Sequence, residues 1–274
     1  MASSSSPQHG HAHGPLLARL LDLDAIVQSP MLDEAIAVAV ELACADAPIR
    51  ILDVGAGTGT GTIALARRFT RAEVVALDID EGMLDRVRHR ARTEGVHDRV
   101  TTIGADVSSE TPGLGVVDLA WSVAALHEVA DAAHAFRNLF DAVRPGGHLV
   151  VVEMDGLPRL LPEPFSELED RVRAAAGSTP ATEHPDWTDS ITAAGFAPLF
   201  TRTLVTDRVL PADGPAGDYA ALELQRIGHV AMPRLTESDR LTLLTLAGDG
   251  AGNVRRLGEL RIRGTRTLWA ARRP

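Results

Sequence analysis

A short apolar run leads directly into a loop of alternating glycines, and this arrangement constrains the fold more than any other feature. The run covers 51–54, the loop carries Gly55, Gly57 and Gly59, and a stretch with the spacing of a helix follows. Glycine adopts positive φ without strain and lets a ligand approach bare backbone. The N-terminus of the following helix adds free N–H groups and the positive end of the helix dipole. The order strand, glycine loop and helix therefore predicts an α/β fold with a nucleotide-like ligand at the loop.

The chain after this loop repeats the alternation of short apolar runs and amphipathic stretches. Runs that are apolar throughout are typical of strands covered on both faces, so the pattern predicts a parallel sheet with helices on both sides. The predicted strands are 51–54, 74–77, 100–103, 116–121 and 149–152, followed by 196–210 and 264–273.

Three further segments complete a single predicted domain over 15–274, built around a cofactor-binding core at 50–153. Residues 1–14 are rich in Ser, His and Gly and are expected to form a disordered tail. The stretch 15–48 predicts N-terminal helices, and 211–263 predicts a helical insertion that covers the substrate. The tail lacks the basic and apolar regions of a signal peptide, so we expect a cytoplasmic protein.

The charge and the residue usage exclude several classes of function. The 274 residues carry a formal net charge of −10, which argues against binding to nucleic acid or to anionic lipid. No apolar run approaches the roughly 20 residues that span a bilayer. All 27 cationic residues are Arg, so chemistry that depends on a lysine is excluded. The single cysteine, Cys44, excludes an internal disulfide and a cysteine-based zinc cluster, and no metal site is expected.

The glycine spacing distinguishes two kinds of ligand. The dinucleotide fingerprint G-x-G-x-x-G/A fails when it starts at Gly55 or Gly57, because a threonine then occupies the final position. A start at Gly59 satisfies the pattern with Gly61 and Ala64, but it lies four residues too far from the strand. An NAD(P)-dependent oxidoreductase therefore stays as an alternative.

The other register, Asp53-x-Gly55-x-Gly57-x-Gly59, resembles the first motif of the class I S-adenosylmethionine-dependent methyltransferases. This resemblance implies S-adenosyl-L-methionine as the cofactor and S-adenosyl-L-homocysteine as its product. It also implies that the loop, including Ala56, passes beneath the methionine part of the cofactor and that Asp53 helps to hold its ammonium group.

Further residues fit the same family in chain order. Asp78 ends the second predicted strand, where the resemblance implies that its carboxylate accepts hydrogen bonds from the ribose hydroxyls. Asp80 suits the N-cap of the next helix, and 104–107 resembles the family's adenine-contacting segment. The residues implied to contact the adenine ring are Ile79, Met83, Ala105, Asp106 and Val107.

Two later segments extend the resemblance to the end of the core. The segment 118–129 resembles the fourth motif, in which Ser122 is implied to contact the cofactor, and 144–153 resembles the following turn and fifth strand. The resemblance implies a Rossmann-like, doubly wound, mostly parallel seven-stranded sheet with an antiparallel last strand.

A histidine and a glutamate stand where small-molecule O-methyltransferases carry a catalytic pair. His127 follows the fourth predicted strand and Glu153 follows the fifth. The carboxyl ends of these strands share one edge of the sheet. The resemblance implies that His127 is the general base and that Glu153 orients it. The alternative, that His127 only lines the pocket or caps a helix, stays open.

The absence of two motifs limits the chemical class of the methyl acceptor. The segment 122–125 stands where methylases of base amino groups carry an Asn/Asp-Pro-Pro-aromatic sequence, and the lysine of metal-dependent catechol-type enzymes is absent. We therefore expect methyl transfer to a small molecule, with oxygen favoured over nitrogen or carbon. A peptide acceptor and a non-catalytic cofactor-binding protein are alternatives, and the sequence determines neither the acceptor nor the oligomeric state.

Overall fold

The computed structural model describes residues 14–43, 50–109, 114–177 and 185–274. The strands are β1 (Arg50–Val54), β2 (Glu73–Asp78), β3 (Val100–Gly104), β4 (Val117–Val123), β5 (Val143–Met154), β6 (Ala197–Pro211) and β7 (Glu259–Arg272). The helices are α1 (Pro15–Val27), α2 (Ser29–Leu42), α3 (Thr60–Arg68), α4 (Glu81–Thr93), α5 (Ala132–Ala142), α6 (Ser166–Ala176), α7 (Thr188–Ala193), α8 (Pro215–Ala231) and α9 (Glu237–Ala247).

The strands form one sheet in the order β3-β2-β1-β4-β5-β7-β6. Strands β1 to β5 pair in parallel, and β7 runs antiparallel to both of its neighbours, β5 and β6. The chain order reverses between β1 and β4, which is the point where doubly wound sheets bind ligands. The predicted fold class is confirmed.

Helices cover both faces because the central strands are apolar on both sides. One face of the sheet packs against α2, α3 and α4, with Ile63 and Ala91 among the buried residues. The other face packs against α5 and α7, where the rings of Phe136 and Trp187 lie 5.4 Å apart. Both faces carry their own apolar cluster, as expected for a sheet that is buried on both sides.

A third apolar cluster joins α1, α6, α8 and α9, which we call the helical cap. One buried residue from each helix illustrates the packing: Leu23, Val172, Leu224 and Leu243, in that order. Ile262 of β7 belongs to the same cluster, so the cap rests on the end of the sheet.

The predicted helical insertion at 211–263 is too long. Because β6 and β7 pair with each other from Thr206 opposite Gly264 to Pro211 opposite Glu259, strand residues occupy its last part. The insertion therefore covers 212–258 and contains α8 and α9. Helix α6, from the stretch between β5 and α7, also joins the cap and was not predicted.

The N-terminal part is described from Gly14 onward. Gly14 precedes α1 as its N-cap residue, and the helices predicted at 15–48 are α1 and α2. The rest of the predicted tail, 1–13, lies outside the described residues, as does Cys44. Among the described helices, none has the length and apolar character needed to cross a membrane.

Candidate active site

The loop between β1 and α3 is a strained turn that requires glycine. Gly55, Gly57 and Gly59 have φ of +69°, +51° and +87°, values that side-chain-bearing residues rarely adopt. A Cβ at Gly55 would also lie 2.2 Å from the Cβ of Ala125. The backbone N–H groups of Gly55 and Ala56 donate to the Leu77 carbonyl of β2 at 2.8 and 3.0 Å. The loop is therefore fixed against the neighbouring strand and exposes backbone to the crevice.

The carboxylate of Asp78, at the end of β2, is fixed by two backbone donors. Its Oδ2 accepts the Gly57 N–H at 2.8 Å, and its Oδ1 accepts the Asp80 N–H at 2.9 Å. A carboxylate oxygen can accept more than one hydrogen bond, so both oxygens keep capacity for further donors. Asp80 caps α4 as predicted, since its side chain accepts from Gly82 and Met83. Ile79, between the two aspartates, is 67% exposed.

The predicted adenine-side residues collect at the ends of β2 and β3. Met83 is buried, and the Ala105 N–H donates to the Asp78 carbonyl at 3.1 Å. Asp106 accepts the Ser108 N–H and hydroxyl at Oδ1, both at 2.7 Å, and Val107 is buried. The structure brings these residues next to Asp78 at one edge of the sheet.

Asp53 is a buried carboxyl group beneath the glycine loop. Its Oδ2 accepts the Thr62 hydroxyl at 2.5 Å. Burial raises the pKa of Asp53 to about 7, against the hydrogen bonds from Thr62 and with a further contribution from the charge of Asp78. A cationic ligand group beside Asp53 would favour the ionised carboxylate.

A cleft lies between the glycine loop and the helices α1 and α2. Asp53 and the loop line one side, and Leu21 and Gln28 line the other. Two buried polar atoms in its wall, Trp121 Nε1 and Gln28 Oε1, have no hydrogen-bond partner among the residues that the structure describes. A Cβ at Gly61 would lie 3.4 Å from both Asp53 Oδ2 and Trp121 Nε1. An acid and an unpaired donor thus stand close together, and this set suits a ligand that carries both an ammonium group and an oxygen acceptor.

The predicted catalytic pair is in contact just beyond β4. Glu153 is wholly buried; its Oε1 accepts the Leu126 N–H at 2.8 Å, and its Oε2 lies 2.8 Å from His127 Nδ1. His127 Nε2 lies 3.4 Å from Oε1 of the exposed Glu128. Ala124, which opens this turn, has φ of +52°, an uncommon value for a residue with a Cβ.

The predicted residues do not all face the same space. Asp53, the glycine loop and Ala124 line the cleft, whereas His127 and Glu153 are not among its lining residues. Ser122 is wholly buried and donates its hydroxyl to the Val54 carbonyl at 3.1 Å, so its side chain joins β4 to β1.

Sequence reasoning missed Asp24, Gln28, Trp121 and Arg266 in the cleft wall. They come from α1, the α1–α2 junction, β4 and β7, and only Trp121 lies within a recognised motif. In the described part of the chain, no group of three His, Cys, Asp or Glu side chains is arranged to hold a metal.

Comparison with known proteins concerns the part of the chain that carries this site. Residues 51–147 match a family model described as a methyltransferase domain. No curated protein matches the sequence.

Solved structures of the same fold span most of the chain. A geranyl diphosphate C-methyltransferase from Streptomyces coelicolor A3(2), solved with Mg²⁺, geranyl diphosphate and S-adenosyl-L-homocysteine, is 16% identical; the match covers 97% of this chain and 86% of that one, at TM-score 0.52. The YcgJ protein from Bacillus subtilis is 15% identical over 88% and 98%, at TM-score 0.54. The [4+2]-cyclase SpnF is 19% identical over 88% and 80%, at TM-score 0.52. At these identities the likeness concerns the fold alone.

The family match runs from the glycine loop through Asp78 to the turn that carries His127. The matched region therefore has the sequence of a methyltransferase domain, and it contains every cofactor-binding residue predicted from the sequence. The match favours a methyltransferase over the NAD(P)-dependent oxidoreductase that the shifted glycine register left open.

Proposed function

We propose that this enzyme methylates an oxygen of a small-molecule acceptor, with His127 as the general base and Glu153 as the residue that positions it. The observation that carries the proposal is the 2.8 Å contact between His127 Nδ1 and the wholly buried Glu153 carboxylate. When bound, the cofactor supplies a methyl group already activated by its sulfonium. The protein then has to align the acceptor and, for a hydroxyl, remove its proton.

Glu153 determines which nitrogen of His127 is basic. An ionised carboxylate only accepts hydrogen bonds, so Nδ1 carries the hydrogen that Oε2 receives. Nε2 then keeps its lone pair and can take a hydroxyl proton. The Glu128 carboxylate beside Nε2 would stabilise the imidazolium that forms.

We also propose that the residues expected from the sequence hold the cofactor. The buried Asp53 suits the ammonium group, the fixed Asp78 carboxylate suits the ribose hydroxyls, and the exposed Ile79 offers an apolar surface to the adenine ring. The other proposed cofactor contacts are Gly55, Ala56, Gly57, Gly59, Met83, Ala105, Asp106 and Val107. Ser122, expected from the sequence, is not proposed, because its side chain is wholly buried and donates to the Val54 carbonyl.

The acceptor atom can be identified directly. Purified enzyme would be given S-adenosylmethionine with a labelled methyl group and a panel of phenols, alcohols, amines, activated carbon acids and a basic peptide. Mass spectrometry of the products would show which atom carries the label. Labelled ethers or esters support the proposal, and label confined to nitrogen, carbon or the peptide contradicts it.

A histidine variant tests the proton-transfer step. His127→Gln should lower turnover about 100-fold, because a general base typically contributes 10²–10⁴-fold, while the affinity for S-adenosylhomocysteine stays unchanged. His134→Gln, on α5, is the matched control and should keep full activity. Turnover within about twofold of the parent enzyme for His127→Gln would show that alignment alone suffices.

The positioning role of Glu153 needs its own readout. Glu153→Gln should lower kcat while the KM for the acceptor stays unchanged. The His127 imidazole stays at the same position but is no longer held in the orientation that proton transfer needs. A rise in KM with unchanged kcat would instead assign Glu153 to acceptor binding.

A further inference from the structure

We propose that Arg266 is a specificity-determining residue that donates hydrogen bonds to an uncharged oxygen of the acceptor, such as a ketone carbonyl. The substrate class would be a mainly apolar hydroxy compound that also carries a neutral carbonyl group. This proposal rests on the proposed function, since it concerns the acceptor of that methyl transfer.

Arg266 lies on the far side of the cleft from the proposed cofactor site. It stands on β7 opposite Met154 of β5, and it lines the same cleft as Asp53 of β1. The strands between them follow the order β1-β4-β5-β7, and neighbouring strands are about 4.8 Å apart. Their strands are therefore three spacings apart across the sheet, roughly 14 Å. Ala270 is the β7 residue in register with Asp53, so the four residues from Ala270 to Arg266 add roughly 13 Å along the strand direction. Arg266 belongs to the half of the cleft that the acceptor would occupy.

The guanidinium of Arg266, which lines the cleft, has more donors than its contact with Asp24 uses. Its Nη2 donates to Asp24 Oδ2 at 2.5 Å. Among the described residues, none accepts a hydrogen bond from Nε or Nη1 of Arg266. Neither nitrogen is among the fully buried atoms that lack a partner, so both are accessible to a ligand in the cleft. An arginine has five N–H donors in a planar fork, so one carboxylate contact leaves several for a ligand.

Nearby carboxylates compensate the charge of Arg266. Asp24 lies in direct contact, and its other oxygen accepts the Tyr219 hydroxyl at 3.0 Å. Burial alone would lower the pKa of Arg266, but Asp24, and to a smaller extent Tyr219 and Glu153, raise it, so the guanidinium stays charged. A carboxylate ligand would add a further negative charge beside Asp24 and Glu153. The wall therefore offers hydrogen-bond donors without a net positive charge, which suits a neutral oxygen better than an anion.

The remaining surface of the cleft agrees with an acceptor that is mainly apolar. Leu21, Met31 and Val152 line it together with Arg266. Gln28 is only 4% exposed, and within the described part of the chain its Oε1 has no hydrogen-bond partner. This oxygen can accept a hydroxyl or amide N–H from the ligand. The cleft wall thus offers the Arg266 donors and the Gln28 acceptor within an apolar surface, which suits a ligand with one oxygen acceptor and one hydrogen-bond donor.

A matched series of aromatic compounds tests the class of the acceptor. The probes are the three hydroxyacetophenones, the three hydroxybenzoates and the three ethylphenols, which place a ketone, a carboxylate and a hydrocarbon group at the same position. Binding would be measured by calorimetry in the presence of S-adenosylhomocysteine, so that no methyl transfer is required. At least one hydroxyacetophenone should bind about tenfold or more tighter than its benzoate and ethyl counterparts, as expected for hydrogen bonds from a charged donor.

The double variant Asp24→Asn/Arg266→Met links this preference to Arg266 without leaving a buried carboxylate unpaired. It should bind the ketone and ethyl probes with similar affinity and should keep its affinity for S-adenosylhomocysteine. The matched control is Asp207→Asn/Arg261→Met, which removes an exposed pair between β6 and β7 with the same charge change. The control should retain the ketone preference.

Four outcomes would overturn the proposal. They are tighter binding of the benzoates, equal binding of ketone and ethyl probes by the parent enzyme, no binding of any probe, and a loss of S-adenosylhomocysteine affinity in the double variant as large as the loss for the ketone. The last outcome would assign Arg266 to the cofactor's carboxylate. The two proposals can fail separately. If the parent enzyme prefers the ketone probes but the labelled methyl group is found on nitrogen or carbon, O-methylation is contradicted and the role of Arg266 is not.

Discussion

The cofactor-binding core and the helical cap hold their helices in different ways. In the core, α3, α4 and α5 pack on the sheet through apolar residues, and the polar groups needed for binding lie in short loops at the strand ends. The cap adds buried charges to its apolar cluster. Glu169 and Arg173 of α6 are 1% and 8% exposed, and Arg173 donates to the carbonyls of Leu157 and Pro158. The packing of α6 in the cap therefore includes a buried charged pair, whereas α3, α4 and α5 pack on the sheet through apolar contacts.

The largest expected effect comes from removing one of these buried charges. Glu169 accepts the Leu160 and Leu161 N–H groups at 2.8 and 3.1 Å and the Arg173 guanidinium at 3.0 Å. Glu169→Ala leaves the buried Arg173 without its carboxylate and should lower the free energy of unfolding by about 3–5 kcal/mol. Urea unfolding with linear extrapolation would measure it.

The comparison between a buried and an exposed pair sharpens this result. Glu167 lies two positions before Glu169, but its side chain is exposed. Its carboxylate forms a longer ion pair, at 3.8 Å, with the exposed Arg171. Glu167→Ala should not change the unfolding midpoint, because solvent screens such pairs. Equal losses for the two variants would mean that helix propensity, and not the buried charge, controls the stability of α6.

The second prediction addresses a carboxylate of the core. Asp78→Ala removes the acceptor for Gly57 and Asp80 N–H groups and the proposed partner of the ribose hydroxyls. The affinity for S-adenosylhomocysteine should fall by roughly 1–3 kcal/mol, as calorimetry would show. Asp80→Ala is the control, since it removes only the N-cap of α4 and should cost about 1 kcal/mol of stability with unchanged affinity. Unchanged affinity for Asp78→Ala would disprove the ribose assignment.

The same contrast explains what could be predicted from the sequence. The core strands are predictable because most of their residues are apolar. The His127–Glu153 contact is predictable because the family that the sequence resembles carries such a pair after its fourth and fifth strands. The sequence pattern of the cap helices is weaker. Helix α6 begins with 166–170, where acidic residues outnumber apolar ones, so no apolar stripe marks its start. The pair of Asp24 and Arg266 spans 242 positions and follows no spacing rule, so only the folded chain brings these residues together.

The third prediction uses the pKa of Asp53, which burial raises to about 7. The folded protein holds this proton between about pH 4 and pH 7, where the unfolded chain has released it, so Asp53 makes stability fall as pH rises through that range. A bound ammonium group favours the ionised carboxylate and releases the proton. The affinity for S-adenosylhomocysteine should therefore rise by up to about tenfold per pH unit below pH 7 and level off above it.

The matched variant for this pH dependence is Asp53→Asn. It keeps the shape and the contact with Thr62 but cannot ionise, so its binding should be weaker at pH 8 and nearly independent of pH between 5 and 8. Calorimetry in two buffers of different ionisation enthalpy would also detect the released proton. A parent enzyme with flat affinity across this range would show that the ammonium group binds elsewhere.

The smallest expected effect tests how the cap is joined to the core. The Tyr219 hydroxyl of α8 donates to Asp24 of α1, and Asp24 also binds Arg266 of β7, so one carboxylate joins three elements. Burial raises the pKa of Tyr219 well above its ordinary value, so the hydroxyl stays a donor at any working pH. Tyr219→Phe removes one donor but leaves the ion pair, and it should cost about 1 kcal/mol of stability. Hydrogen exchange should quicken for the amides of α1 and stay unchanged for α3, which packs on the sheet through apolar residues; equal acceleration in both helices would mean that cap and core open as a single unit.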